Sequence, residues 1–248
     1  MTNDVIDNDI WNYSTVKLPK APPVKIGDLH GVLPFDGVRN PGSRSATSHT
    51  VWLTYKTPAN SWKPKVGICE SAAEAAVALE ALMSPDTNDI RFQPHTVEFQ
   101  LDGKRRRYTH DLLVVSKSGH RRLVFVRNEE SLSKPKTWRE IAAIGKATPP
   151  EAANDMIVVS AGDYSRQRRD NLFRMHRLLQ ESDHEADTLV LSTARNLKTL
   201  WQMKDLFPHV PLAQDRVFRA CLRLIARKEL IANLDNVILE TTRVEVAA

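Results

Sequence analysis

Apolar and polar residues alternate through 96–101, where Val97, Phe99 and Leu101 fall on one side of an extended chain and Glu98 and Gln100 on the other. A period of two predicts a strand, because successive strand side chains point to opposite faces. Asp102-Gly103 then supplies the positive φ angles of a tight hairpin turn. A second strand leaves through Arg107 to Asp111 into the apolar run 112–115. Residues 117–120 turn the chain again, and 123–127 makes a third strand. The pattern thus predicts an antiparallel meander over 96–127, with Asp111 opening the apolar run of its middle strand. On the third strand Phe125 and Arg127 share one face, and Val124 and Val126 the other.

Upstream, residues 1–64 read as an N-terminal arm, because prolines such as Pro22, Pro23, Pro34, Pro41 and Pro58 interrupt every candidate element. The apolar piece 51–55 is the exception and can form an edge strand. A helix is predicted over 71–83: Ser71 is a good N-cap, the alanines favour helix, and Ser84-Pro85 marks the exit. Glu74, three residues after Ser71, completes the capping-box pattern. Gln93-Pro94 either starts the hairpin or places an amide at the edge of the sheet. After the meander, 137–147 reads as a helix with Trp138, Ile141, Ala142 and Ile144 on its apolar side. Residues 155–160 read as another strand of the same sheet.

A boundary is expected at 162–164. It separates a domain over 65–162 from a second over 163–248. In the second, the pattern predicts a helix near 170–180, a short strand at 188–191, a helix near 197–206 and a clean helix over 213–227. In that last helix Val217, Cys221, Leu224 and Ile225 lie on one side, and Arg216, Arg219, Arg223 and Arg227 recur at spacings of three and four on another. Two β-like pieces, 234–239 and 242–246, follow. Helices followed by a small hairpin suggest a winged-helix-like module.

Composition narrows the class. With 248 residues, 42% hydrophobic and 26% charged, the chain has the make-up of a globular protein with a substantial core. No run approaches the roughly 20 apolar residues of a membrane span. The acidic start MTNDVIDNDIW lacks a secretory pattern, and Cys69 and Cys221 stand far apart, so a reduced cytoplasmic setting without membrane partners is expected. The net charge of +5 is gathered in clusters at 104–107, 120–122, 166–169 and 216–228. These suit either solvated faces or double-stranded DNA. Lys104, Arg105, Arg106, Arg107, Arg216, Arg219 and Arg223 are the candidate phosphate contacts, and Arg39, Arg44 and Lys56 could rest on DNA as well.

An Asp on one strand and an acid-x-basic element on the next is how many metal-dependent nucleases build their site. Acidic groups hold a divalent cation beside a Lys that orients or activates water. Here the acid slot holds Phe125 and the basic slot Arg127. Glu74 is a third corner, on a helix that can lean over the sheet.

From about Arg44 to Val246 the order of pieces resembles the TnsA family of transposon endonucleases, which cut the 5′ ends of cut-and-paste elements. The matches are Glu70-Ser71-x-x-Glu74, Phe92-Gln93-Pro94, the run from Gly103 to Asp111, Asp163-Tyr164 with Asn171 downstream, and the ending over 230–242. The resemblance implies an α/β fold: a restriction-endonuclease-like mixed sheet flanked by helices, then a small winged-helix-like domain. It also implies Mg²⁺, duplex DNA, and a DDE transposase and an AAA+ ATPase as partners, the latter met by the C-terminal domain. Glu74 would match the family's helix carboxylate and Asp111 its central metal ligand. Arg127 falls where the family has a catalytic Lys, Phe125 where it has Glu or Gln, and His110 where it usually has Pro. Phe125 offers a cation no side-chain oxygen, and the Arg127 guanidinium stays protonated. Glu98 and Glu129 are the nearest candidates for a relocated acid, and His110 for an extra ligand or base. The expectation is therefore a TnsA-like DNA-binding protein with cleavage lost or altered. The alternatives are an active Mg²⁺-dependent endonuclease and a DNA-binding regulator that uses its C-terminal domain.

Overall fold

The computed structural model describes residues 27–41 and 50–247; the expectations for Arg44 and for most of the proline-rich arm lie outside them. The chain is mixed α/β. Strand β1 (Val51–Tyr55) pairs antiparallel with β2 (Lys65–Cys69), so the apolar piece of the arm does form a strand, with a partner that its proline-flanked sequence had hidden. Helix α1 (Ala72–Leu82) follows, then β3 (Thr87–Phe92), β4 (Thr96–Leu101), β5 (Lys104–Thr109), β6 (Leu112–Ser116) and β7 (Arg121–Arg127). After β7 come the short α2 (Glu129–Leu132), α3 (Pro135–Ala147) and β8 (Asp155–Ser160). The main sheet has the order β3-β6-β7-β8, antiparallel except for the parallel pair β7 and β8.

The expected meander is broken in one place. Strands β4 and β5 form a separate ribbon, closed by Asp102 and Gly103 at φ 52° and 72°. Strand β5 stops at Thr109, and only β6, from Leu112, enters the main sheet. The cause lies opposite, where Gln93 takes φ 49° and Pro94 has no N–H to donate, so the ladder bends. One long hairpin, β3-β4 against β5-β6, is thereby folded at Gln93-Pro94-His95 and His110-Asp111. Asp111 sits on the bend.

The two faces of β7 serve different layers. Val124 and Val126 join Ile90, Phe92 and Leu112 in the core under α1, whereas Phe125 packs with Val97, Phe99, Leu101, Ile141 and Ile144 under α3 and the ribbon. The predicted apolar side of α3 is narrower than expected: Ile141 and Ile144 are buried, but Ala142 and Trp138 are exposed, the indole donating to the Leu132 carbonyl. Helix α1 is buried over Ala73–Leu79 because its alanines let sheet and helices close in from several sides.

The second half holds α4 (Arg166–Leu179), α5 (His184–Asn196), a 3-10 helix at Met203–His209, α6 (Gln214–Ala226) and the two-residue strands β9 (Leu230–Ile231) and β10 (Glu245–Val246). The strand expected at 188–191 is instead the middle of α5. Asp183 caps that helix by accepting from the Ala186 N–H, and Ala186, Val190 and Ala194 bury a stripe at spacing four, which fixes the run as helix. No α-helix covers 197–206: α5 ends at Asn196, and Asp205 ties the Trp201 and Gln202 N–H groups into the start of the 3-10 turn. Residues 234–239 are not a strand, since Asn171 Nδ2 holds the Leu234 and Asn236 carbonyls in a loop. Buried residues of α1, α4, α5, α6 and the main sheet form one continuous core. Glu80 of α1 links the halves further, accepting from Tyr164 and pairing with Arg168. Among the described residues no helix is long and apolar enough to cross a membrane.

Candidate metal and nucleic-acid site

Strand β2 ends at Cys69, and the chain turns through Glu70 and Ser71 into α1. Ser71 Oγ accepts from the Glu74 N–H at 3.1 Å, as a cap should. The Glu74 carboxylate, however, reaches past the cap: its Oε2 accepts from the Glu70 N–H at 2.9 Å. Its Oε1 is buried with no hydrogen-bond partner. The bend of the long hairpin brings Asp111 alongside, and one oxygen each of Glu70, Glu74 and Asp111 lie within 4.8 Å of one another.

Asp111 is held from three sides. Its Oδ2 accepts from the Val126 N–H at 3.0 Å and from the Tyr108 hydroxyl at 3.0 Å, with Arg127 Nη1 at 3.5 Å. Glu74 and Asp111 are each only 3% exposed. Burial pushes the Glu74 carboxyl well above its ordinary range, and the Asp111 charge adds to the push. Burial also raises Asp111, against the opposing pull of Arg127, the Val126 N–H and Tyr108. Burial and the Asp111 charge raise the Tyr108 phenol too, so it stays a donor.

Three carboxylates that converge, with a buried oxygen of Glu74 lacking a hydrogen-bond partner, could hold a metal ion. Glu70 opens the Glu70-Ser71-x-x-Glu74 motif but is not among the ligands expected from the sequence. Of the proposed relocated acids, Glu98 lies on the outer face of the ribbon, paired with Arg105, and Glu129 sits in the first turn of the short α2; neither joins the trio. His110 is fully buried, with Nε2 on Thr148 Oγ1 at 3.1 Å and its ring edge-on to Tyr108, and it too stands outside. Burial, and then His95, lower its pKa to about 4, so the ring is neutral.

The third strand carries its departures as the sequence spells them. Phe125 is buried in the layer beneath α3. Arg127 lies over it, Cζ 3.9 Å from the ring centroid and 5.2 Å from that of Tyr108, while Nη1 donates to the Val126 carbonyl at 2.7 Å. The guanidinium is thus fastened beside Asp111 by aromatic faces and a backbone oxygen.

The candidate phosphate contacts divide sharply. On the ribbon, Lys104 and Arg107 are exposed and have no ion pair among the described residues. Arg105 pairs with Glu98, and the half-buried Arg106 reaches Glu140 at 3.4 Å. On α6 the expected arginine stripe is largely answered by acids. Arg216 is bound by Asp183 and Glu185, Arg219 stands 3.9 Å from Glu181, and Arg223, only 2% exposed, donates to Asp187 at 2.7 Å. Arg223 therefore faces inward and cannot lie along a phosphate backbone. Arg39 rests on Glu70 and Gln93. Lys56 is exposed.

Comparison of the chain with protein-family models and with curated proteins yields no match.

Proposed function

We propose that this chain is a DNA-binding protein of the TnsA kind that has kept a cation site and lost efficient strand cutting. In this reading the sheet with α1 and α3 is a restriction-endonuclease-like core, and the segment from α4 onward is a winged-helix-like unit that meets a transposase or an AAA+ ATPase. Glu70, Glu74 and Asp111 would hold Mg²⁺, which when bound would supply charge to polarise a phosphodiester oxygen and a water. The exposed cations of the β4-β5 ribbon hold duplex DNA.

The observation that carries the loss of cutting is the anchoring of Arg127. A water-activating Lys must give up a proton and move towards the water. A guanidinium remains protonated, and this one is packed on Phe125 and tied to a carbonyl. Phe125 in turn brings no side-chain oxygen to the cation. What remains to Arg127 is to hold Asp111 in place and to offer charge to a nearby phosphate.

One observation favours the second reading, an active endonuclease: Glu70 supplies the carboxylate that Phe125 lacks. Incubation of the highly purified chain with supercoiled plasmid and labelled duplex in Mg²⁺ and in Mn²⁺ separates the two. The expected result is salt-sensitive binding without nicking. Metal-dependent nicking that disappears in Asp111→Ala would establish the endonuclease instead.

A further inference from the structure

The segment before β1 contributes one side chain to the carboxylate trio, and the way it is seated is specific. Gly37 lies against the end of β3 so closely that a Cβ there would stand 2.6 Å from the Phe92 carbonyl oxygen. The Val38 N–H donates to the Gln93 carbonyl at 2.9 Å. These contacts deliver Arg39 to the bend of the hairpin. Its Nε and Nη2 donate to Gln93 Oε1 at 3.0 and 2.8 Å, and Nη2 stands 2.8 Å from Glu70 Oε2. Gln93 is itself fully buried, at φ 49°; its amide oxygen takes both Arg39 donors while its Nε2 has no partner.

We propose that Arg39 is a resident counter-ion for the trio, a latch on Glu70 that a divalent cation must displace in order to bind. The proposal rests on the cation reading given above and adds what controls entry. Glu70 is the hinge of the arrangement: its N–H holds the buried Glu74 and its carboxylate holds Arg39. Guanidinium and cation compete for that one carboxylate. Arg39 has the positive charge the trio needs, but it makes no hydrogen bond to the unsatisfied Glu74 Oε1, which a cation held by the three carboxylates would satisfy. Both partners of the Arg39–Glu70 pair are roughly half exposed, so the pair is weak enough to open.

The test is calorimetric titration of Mn²⁺ into the full chain and its variants, each first shown to be folded by urea melting. Arg39→Ala should tighten Mn²⁺ binding by about fivefold, the order expected for release of a half-exposed ion pair. Arg39→Lys, which restores a charge, should stay near the parent. Glu70→Gln should weaken binding, and adding Arg39→Ala to it should change nothing further, because the latch acts through Glu70. If Arg39→Ala does not fold, Arg39→Gln carries the same comparison. The latch is refuted if the parent binds Mn²⁺ and the charge-removing variant binds it equally or more weakly. It is refuted equally if the gain is the same with Glu70 replaced. Absence of Mn²⁺ binding in every variant would instead remove the cation reading itself, and the latch with it.

Discussion

A carboxyl group with one oxygen on the Glu70 N–H and the other buried without a partner can lower its cost by keeping a proton or by holding a cation. In the metal-free protein the raised pKa of Glu74 means that the folded state binds more protons than the unfolded chain between the ordinary glutamate range, about pH 4, and the raised value. The Glu74 contribution to stability should therefore fall as pH rises through that window, at up to about 1.4 kcal/mol per pH unit, whereas His110 and His176, held neutral by burial, contribute the opposite slope below the ordinary histidine range. Relative to the parent, Glu74→Gln should remove that falling contribution and raise stability at neutral pH. A falling contribution should remain from Asp111, which is shifted in the same direction. Urea melts across the window check this, and a slope unchanged by Glu74→Gln would contradict the burial argument. Added Mg²⁺ should stabilise the parent at neutral pH more than the variant. Asp111 is legible in the sequence because it opens the apolar run of a strand, whereas the cap motif accounts for Glu74 structurally and it is the resemblance to the TnsA family that marks it as a ligand candidate. Glu70 and Arg39 are not legible, because their meeting depends on a strand-to-helix turn and on packing between distant segments, which no local period encodes.

At the level of elements, periodicity identifies the residues that share a face and leaves open what that face meets. Arg223 belongs by spacing to the arginine stripe of α6, yet α5 lies against it and places Asp187 on its guanidinium, with Arg227 on the other carboxylate oxygen. Asp187 in turn precedes the short run 188–191 that reads as a strand, so neither half of this buried pair announces the other. Removing one partner leaves a charge in the core, so Asp187→Ala should destabilise the fold by about 3–5 kcal/mol. Replacing both by apolar residues should recover much of that loss, and denaturant melts of single and double variants measure it. A loss under about 1 kcal/mol for Asp187→Ala, the range of an exposed pair, would mean that Arg223 finds water or another partner. The bent hairpin has the same lesson: both strands and the Asp-Gly turn follow from the pattern, but the bend comes from the positive φ of Gln93 beside Pro94.

Across the whole molecule, the net charge of +5 hides an uneven supply of free cations. The α6 arginines are largely occupied by α5 and its flanking acids, whereas Lys104 and Arg107 project from the β4-β5 ribbon without ion pairs among the described residues. A cation already bound to two carboxylates brings little new charge to a phosphate, since it must first give them up. Duplex binding should therefore depend on the ribbon. Every phosphate that a side chain ceases to neutralise lowers the slope of log K against log salt by about 0.9, so Lys104→Gln with Arg107→Gln should reduce it by about 2. Arg216→Gln should leave it unchanged, because Asp183 and Glu185 hold that guanidinium at 2.9 and 2.7 Å. Fluorescence anisotropy of a labelled duplex over a salt series distinguishes the two surfaces. A shallower slope in Arg216→Gln, with no change in the ribbon variant, would move the nucleic-acid face to α6 and require its acidic partners to release it when DNA arrives.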